Sequence, residues 1–406
     1  MLLTPQPRRA FLSNAARGTA ALAASSYMRV MGANERVNVG LIGAGERGRF
    51  VMSQFVKTGQ VDLHAVCDVY AVMIDRARQQ DSAPNAAGFG DHRKLLELKE
   101  LDAVLIATPD HWHAAVAIDA MNAGKDVYIE KPLTLRIDEG PGIIKAARVN
   151  NRVCQVGLQQ RSGAHYLEAK AKYFDTNALG TITYIRTLWH GNGYHLRKAP
   201  ASLATLPSNL DWPRFLGQVK WRDWDPQQFW NWRAYLDFGG GQVTDLFTHW
   251  IDVVHMFLGH DVPTSGVAAG GVYNYKDGRT APDTINVLLE YGGLYTASFE
   301  ATLAPGARGY GIEFLGTKGS LFIDRQHYEY RDAARPMAPV VVQGPQYDFT
   351  LDHVKNFLAC LKTRQRPNCD VLTGARSAQA SHLGNISYVE KRRIDFDPIR
   401  EEILPL

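Results

Sequence analysis

Cysteine is nearly absent from this chain: Cys67, Cys154, Cys360 and Cys369 are the only four in 406 residues. Four are too few for a disulfide scaffold, and without a C-x-x-C spacing zinc is not expected. Cys67 and Cys154 fall at strand positions and read as small buried hydrophobes. Cys360 and Cys369 could pair, which the sequence leaves open. Long apolar runs are missing too, so no membrane span is expected. So is any surplus of charge in the body of the chain. The formal net charge of +4 comes from the first 33 residues, which hold Arg8, Arg9, Arg17 and Arg29 and no acidic residue. Without them 41 basic residues face 41 acidic ones, and nothing points to a nucleic-acid partner.

That leader is patterned. Pro7-Arg8-Arg9-Ala10-Phe11-Leu12-Ser13 precedes a run of small residues from Gly18 to Tyr27. It resembles a twin-arginine export signal, departing from the usual pattern at Pro7 and Ser13, with cleavage expected between Ala23 and Ala33. A periplasmic or exported location follows as an expectation; a basic tail on a cytoplasmic protein is the other reading.

What the chain does have is concentrated in Val37 to Gly48, VNVGLIGAGERG. An apolar strand runs into Gly43-x-Gly45-x-x-Gly48, and a helix through Phe50, Val51, Phe55 and Val56 follows. In such a turn the first glycine allows the bend, the second lets backbone approach a pyrophosphate, and the third lets helix and strand pack closely. The helix N-terminus then offers free N–H groups to phosphate. A second strand, Val61 to Val66, leads to Asp68, about twenty residues past the last glycine, where a carboxylate holds a ribose 2′-hydroxyl. Neither Val69 nor Tyr70 is basic, so NAD is favoured over NADP.

Further strands are expected at Ala103 to Ile106, Asp126 to Ile129 and Val153 to Val156, with helical patterns between them. That alternation means a parallel, doubly wound sheet with its ligand at the carboxyl ends of the strands. The loops Ala107-Thr108-Pro109-Asp110-His111-Trp112-His113 and Glu130-Lys131-Pro132 fall at such ends. From about Leu158 the rhythm changes to strands with few helices between them, at 182–188, 267–272, 285–291, 295–299, 312–315 and 320–323. This predicts an α+β domain with a mostly antiparallel sheet. Helices are expected at 246–257, 350–361 and 375–388. The expected organisation is therefore a leader over residues 1–33, a Rossmann domain over 34–157 and a second domain over 158–406.

Asp245 and His249 are four residues apart on a predicted helix and share a face, with Asp252 on the same stripe. Gly239, Gly240 and Gly241 precede them. Seven of the eight tryptophans lie between Trp189 and Trp250. They could stack on pyranose rings or simply build an aromatic core; Trp232 and Arg233 are the pair expected to face the cleft. His111 and His113 have no partners that complete a metal site.

Taken together, GLIGAGERG, Asp68, ATPDHWH, the run from Gly124 to Pro132, Gly157 with Arg161, and GGGQVTDLFTHWID resemble the Gfo/Idh/MocA oxidoreductases, the family of glucose–fructose oxidoreductase and inositol dehydrogenase. The likeness covers the chain after the leader, and HLGNISY at 382–388 is similar to the exported bacterial branch. It implies an N-terminal Rossmann domain, a C-terminal domain with a large open sheet that serves as an oligomer surface, and a homo-dimer or homo-tetramer. It implies a cis peptide before Pro132. It assigns Gly43, Gly45, Glu46, Arg47, Gly48, Asp68, Thr108, Pro109, His113, Glu130, Lys131 and Gln159 to the cofactor, and Arg161, Asp245 and His249 to a carbohydrate substrate, beside the cleft-facing Trp232 and Arg233.

Hydride transfer from a sugar carbon needs a base for the hydroxyl proton and a positive group beside the developing oxyanion. Lys131 fits the second role and His249 the first, with Asp245 orienting a hydroxyl or the imidazole. The expected activity is NAD-dependent oxidation of a CH–OH group in a sugar or cyclitol, with tightly held NAD if the protein is exported. A redox-neutral glycoside hydrolase or lyase is the alternative. Relatives with N-acetylgalactosaminidase activity occur in the wider family but lack the lysine of Glu-Lys-Pro, which this chain keeps. A non-catalytic ligand sensor is the third reading.

Overall fold

The structure is a computed structural model that describes residues 36–345 and 347–405. The leader and its twin-arginine pattern lie outside the described residues.

Six parallel strands form the first sheet: β1 (Val37–Ile42), β2 (Val61–Cys67), β3 (Ala87–Phe89), β4 (Ala103–Ile106), β5 (Asp126–Ile129) and β6 (Cys154–Val156), in the order β3-β2-β1-β4-β5-β6. β1 is short and nearly continuously apolar because helices cover both faces of the sheet. Val39, Leu41, Phe55 and Tyr128 pack on one side, and Ile42, Ile106, Val116 and Ile129 on the other. Each such buried side chain contributes roughly 1.5–3 kcal/mol. The order reverses between β1 and β4, so the crevice for a ligand opens above those two carboxyl ends.

The second sheet has ten strands in the order β14-β13-β12-β11-β7-β10-β9-β8-β15-β16. They are β7 (Ile182–His190), β8 (Ser265–Gly271), β9 (Thr284–Tyr291), β10 (Tyr295–Thr302), β11 (Tyr310–Gly316), β12 (Gly319–Ile323), β13 (His327–Asp332), β14 (Val340–Gln343), β15 (Ile394–Asp397) and β16 (Glu402–Ile403). All pairs are antiparallel except β7 with β10. One face is covered by the helices Thr248–Leu258 and Val371–Glu390. Strand alternation shows it: in β9, Ile285, Val287, Leu289 and Tyr291 are buried while Asn286 and Leu288 are exposed. The other face is open and carries cross-strand polar pairs, Arg186 with Glu300 at 2.7 and 2.8 Å and Tyr184 with Ser298 at 2.8 Å.

The chain returns to the first sheet late. Helix Thr350–Thr363 places Val354, Phe357, Leu358 and Leu361 in the core of the first domain, with Phe357 edge-on to Phe55 and Tyr128. The two domains therefore share packing on the floor of the site. All four cysteines are buried and unpaired, with Cys360 and Cys369 in different core clusters, so those two form no bridge.

Candidate active site

β1 delivers the chain into the glycine turn, and each glycine has its own steric reason. Gly43 sits at φ +90, and a Cβ there would lie 2.6 Å from the backbone of Ala107. A Cβ on Gly48 would stand 2.0 Å from the carbonyl oxygen of Gly43. A Cβ on Gly45 would meet nothing within 4 Å; this backbone faces open space. Helix Glu46–Lys57 starts there without a side-chain cap, so its first N–H groups are left for a ligand. The open backbone, the uncapped helix and a buried, unpartnered Thr108 Oγ1 fit a pyrophosphate and its dinucleotide.

The cleft above the turn, about 370 Å³, is lined by Gly43, Gly45, Asp68, Thr108 and Pro109. Asp68 accepts from the N–H groups of Ala44 at 2.8 Å and Tyr70 at 2.9 Å, which fixes its carboxylate at the end of β2. Burial, only partly offset by those two bonds, pushes its pKa up to about 6. Arg49, Arg76 and Arg214 also line this cleft. Absence of a basic residue at positions 69 and 70 thus does not leave the ribose end free of cations.

Glu46, Arg47, Thr108, Tyr194, Trp232 and Arg233 line this cleft and a second cavity of about 400 Å³, so the two adjoin. Arg47 is paired with Glu130 at 3.0 Å, tying the glycine turn to the Glu-Lys-Pro loop. Arg197 (2.6 Å) and the Tyr194 hydroxyl (3.0 Å) both donate to Glu46, bringing the second domain across the first turn of the helix.

Lys131 follows β5, and its peptide to Pro132 is cis. Nζ donates to Asp245 Oδ1 at 2.5 Å and to the Asp245 carbonyl at 2.7 Å. Asp245 lies in a π-helical turn, Val243–Phe247, that leads into helix Thr248–Leu258. Its other oxygen faces His195 Nε2 at 3.1 Å, and Arg233 Nε stands 3.5 Å from Oδ1. Burial raises the pKa of Asp245, but Lys131, Arg233 and His195 outweigh it and hold the carboxyl well below the usual range. Asp245 is thus an anion that orients Lys131 and His195. It is not bonded to His249, which corrects the expectation that it could orient that ring.

His249 lines the same cavity, one helical turn on. Its Nδ1 faces Gln160 Oε1 at 3.1 Å; with Nδ1–H as donor, Nε2 keeps the lone pair. Burial, then the charges of Lys131 and Arg325, holds the ring well below its ordinary pKa and therefore neutral. Gln159 lines the cavity with a buried, unpartnered Oε1. His113 also faces it, but its nitrogens lie 2.6 Å from the Pro132 carbonyl and 3.0 Å from that of Thr108; the ring is seated between the two loops and, when neutral, donates to one of them.

Several expectations change. Asp252 is fully buried behind the site, where Arg161 Nε donates to both its oxygens at 2.9 Å. Arg161 lines neither cavity; the pair is a strut under the helix and not a substrate contact. The triple glycine serves packing within the protein: a Cβ on Gly239 would meet the Trp232 ring at 2.8 Å, and one on Gly240 would meet Thr244 Oγ1 at 2.2 Å. Of the tryptophans, Trp212 and Trp250 are buried core, Trp224 packs against a small cluster and Trp221 is exposed. Trp189 and Trp232 reach the second cavity, the latter with Arg233 stacked 4.1 Å from its centroid.

Sequence reasoning missed His195, Asp110, Tyr194 and Arg325. Asp110 lies within a quoted motif, opens helix Asp110–Asn122, and is buried beside Lys131 and Arg233; burial pushes its pKa up to about 7. No spacing signals the other three. No group of three or more potential metal ligands occurs among the described residues.

Two family models match the chain. Residues 37–158 match "Oxidoreductase family, NAD-binding Rossmann fold", and residues 216–376 match "Oxidoreductase family, C-terminal alpha/beta domain". The first domain is thus an NAD-binding Rossmann domain. Alpha-N-acetylgalactosaminidase of Shewanella oneidensis is 38% identical over 129 residues, which is 30% of this chain and 28% of that protein. The chain therefore matches little more than a quarter of the length of these curated relatives. Levoglucosan dehydrogenase, solved with NADH and levoglucosan, superposes with a TM-score of 0.71 at 18% identity, covering 89% of this chain and 99% of that one. Aldose-aldose oxidoreductase from Caulobacter crescentus, complexed with glycerol, gives 0.70 at 19% identity, covering 89% and 100%. At these identities the likeness is one of fold.

Proposed function

This chain belongs to the Gfo/Idh/MocA family of oxidoreductases, and from that premise we propose that it oxidises a CH–OH group of a sugar, sugar derivative or cyclitol with bound NAD. The observation that carries the reading is Lys131, held by Asp245 in a cavity that adjoins the cofactor cleft. NAD supplies the hydride acceptor. An ammonium has three N–H donors. Two of those on Lys131 go to Asp245, and the third is left to bind the substrate oxygen and stabilise its developing negative charge. His249, held neutral, accepts the hydroxyl proton at Nε2. His195 fixes the far oxygen of Asp245. Trp232 and Arg233 flank the sugar.

With the Arg8-Arg9 leader read as an export signal, free cofactor is scarce where the enzyme works, so NAD is tightly held and regenerated in the site. NAD is favoured over NADP because Asp68 ends β2. The open face of the ten-stranded sheet is the surface through which a homo-dimer or homo-tetramer forms. The test is to denature the purified, untreated protein and assay the released nucleotide, then add sugars and cyclitols and follow nicotinamide absorbance. Near-stoichiometric NAD(H) and reduction by a sugar are expected; rapid loss of cofactor on dilution overturns the tight-binding reading.

A second reading is a redox-neutral glycoside hydrolase or lyase, favoured by the 38% identity to the Shewanella oneidensis protein over part of the chain. Lys131 argues against it. Release of an aglycone from a synthetic N-acetylgalactosaminide would decide for it. Unchanged activity in Lys131→Ala would instead favour a ligand sensor.

A further inference from the structure

One cation of the cavity has no ion pair among the described residues. Arg47 is paired with Glu130 at 3.0 Å, Lys131 with Asp245 at 2.5 Å, and Arg233 approaches Asp245 at 3.5 Å. Arg325, just past β12, lines the same cavity but not the cofactor cleft. It has no ion pair and no hydrogen bond among the described residues, and its Nε is buried without a partner. The guanidinium lies over Trp189, 5.1 Å from the ring centroid, and 6.0 Å from that of Trp250. Asp348, exposed on the same cavity with one oxygen accepting from the Thr350 N–H at 2.8 Å, acts on Arg325 only from beyond ion-pair distance. A guanidinium does not shed its proton, and a buried charge left unpaired is unfavourable. A partner at ion-pair distance would have to come from whatever fills the cavity. The pyrophosphate of the dinucleotide belongs at the glycine turn, so that source is already placed.

We propose that the substrate is a sugar acid, a uronate or an aldonate, whose carboxylate is received by Arg325. This rests on reading the cavity as the sugar site of an oxidoreductase. The planar guanidinium, backed on one face by Trp189, presents its edge as a fork, which matches a carboxylate in two parallel hydrogen bonds. Arg325 offers one guanidinium without an ion pair, which one carboxylate occupies. Asp110, Asp245 and Asp348 line the same cavity, so a phosphate dianion would bring a second charge with nothing to balance it. Carboxylate at Arg325 and reacting hydroxyl at Lys131 would hold the sugar at two points.

The test is calorimetric titration of the purified protein with its cofactor. D-glucuronate, D-galacturonate and D-gluconate are each compared with their neutral counterparts, and a glucose sulfate and a glucose phosphate are included. At least one sugar acid should bind about 10-fold or more tightly than its neutral counterpart. In Arg325→Met that preference should fall to within about 3-fold, while Arg325→Lys, which keeps charge and loses the fork, should retain part of it. No acid preferred, a preference that survives Arg325→Met, or a sulfate or phosphate preferred over every carboxylate would each overturn the proposal. Cofactor reduction, followed in the same samples, separates this inference from the reading beneath it. Arg325-dependent binding of an acid without reduction of NAD contradicts the dehydrogenase chemistry and supports the carboxylate site. Reduction of NAD by a sugar acid that is the same in wild type and Arg325→Met supports the chemistry and contradicts the site.

Discussion

The cofactor cleft and the catalytic cavity share Tyr194 and Arg233 on their walls, yet they are assembled in different ways. The cleft is made by what is missing: Gly43 and Gly48 leave out side chains that would collide with backbone, and Gly45 leaves a surface bare. Its floor comes from short contiguous segments at strand ends of the first domain, and Tyr194, Arg214, Phe215 and Arg233 wall it from the second. The cavity is made by charges brought from afar. Lys131 and Asp245 are separated by 114 residues, and His195, Arg233 and Arg325 come from further loops. Binding a common dinucleotide needs shape and free N–H groups, which local sequence supplies. Selecting one substrate and moving its proton needs a balanced set of ionised groups, which only the tertiary fold supplies.

Substitutions on either side of the boundary should separate these two roles. Lys131→Met should lower kcat by on the order of a thousandfold, since it removes an oxyanion donor in a water-poor site, while bound NAD stays near stoichiometric. Steady-state kinetics and nucleotide release on denaturation measure the two together; loss of both in proportion would mean that the cavity and the cleft are not separable. Gly43→Ala is the reciprocal case. A methyl group at φ +90, aimed at the Ala107 backbone, should weaken NAD binding about a hundredfold and cost about 2 kcal/mol of stability. Titration with NAD and denaturant unfolding would show it.

A smaller effect is expected where His113 sits between the two loops. Burial depresses its pKa to about 4, below the usual 6.5. Below pH 6.5 the unfolded chain therefore binds a proton that the folded ring refuses. The stability tied to the neutral ring is complete above pH 6.5 and is lost as pH falls towards 4. Compared with His113→Gln, the apo protein should lose about 2 kcal/mol between pH 6.5 and 4.5. A difference that does not change with pH would show that the ring is not held neutral. Least is expected of Arg197→Ala. Its bond to Glu46 is partly exposed, and NAD affinity should change by less than about 3-fold, and less still at high salt.

Legibility in the sequence follows the same division. β1, the glycine turn, β4 and β5 could be read because a parallel sheet covered on both faces writes nearly continuous apolar runs between glycines. Strands β3, β13, β14, β15 and β16 carry no such signal. His327–Asp332 alternates tyrosine with charged residues, Val340–Gln343 is largely exposed, and β15 has only four residues. Asp110 looks like an ordinary acid at a helix start; only its burial beside Lys131 sets it apart. Arg161, given to the substrate by the family resemblance, and Asp252, on the stripe of Asp245 and His249, satisfy each other's charge below the cavity. Arg325 stands out for the opposite reason, that its partner is missing, and the absence of a partner is invisible until the fold is known.

The most direct test of the account is the structure of the protein crystallised with NAD. The adenosine ribose should lie at Asp68 and the pyrophosphate at Gly45, with the nicotinamide reaching past Arg47 and Thr108 to the cavity of Lys131. Its reactive carbon should then face space beside Lys131 and His249 in which a substrate carbon fits at roughly 3–3.5 Å. A nicotinamide ring turned away from Lys131, or one that fills the cavity and leaves no room for a substrate, would contradict it.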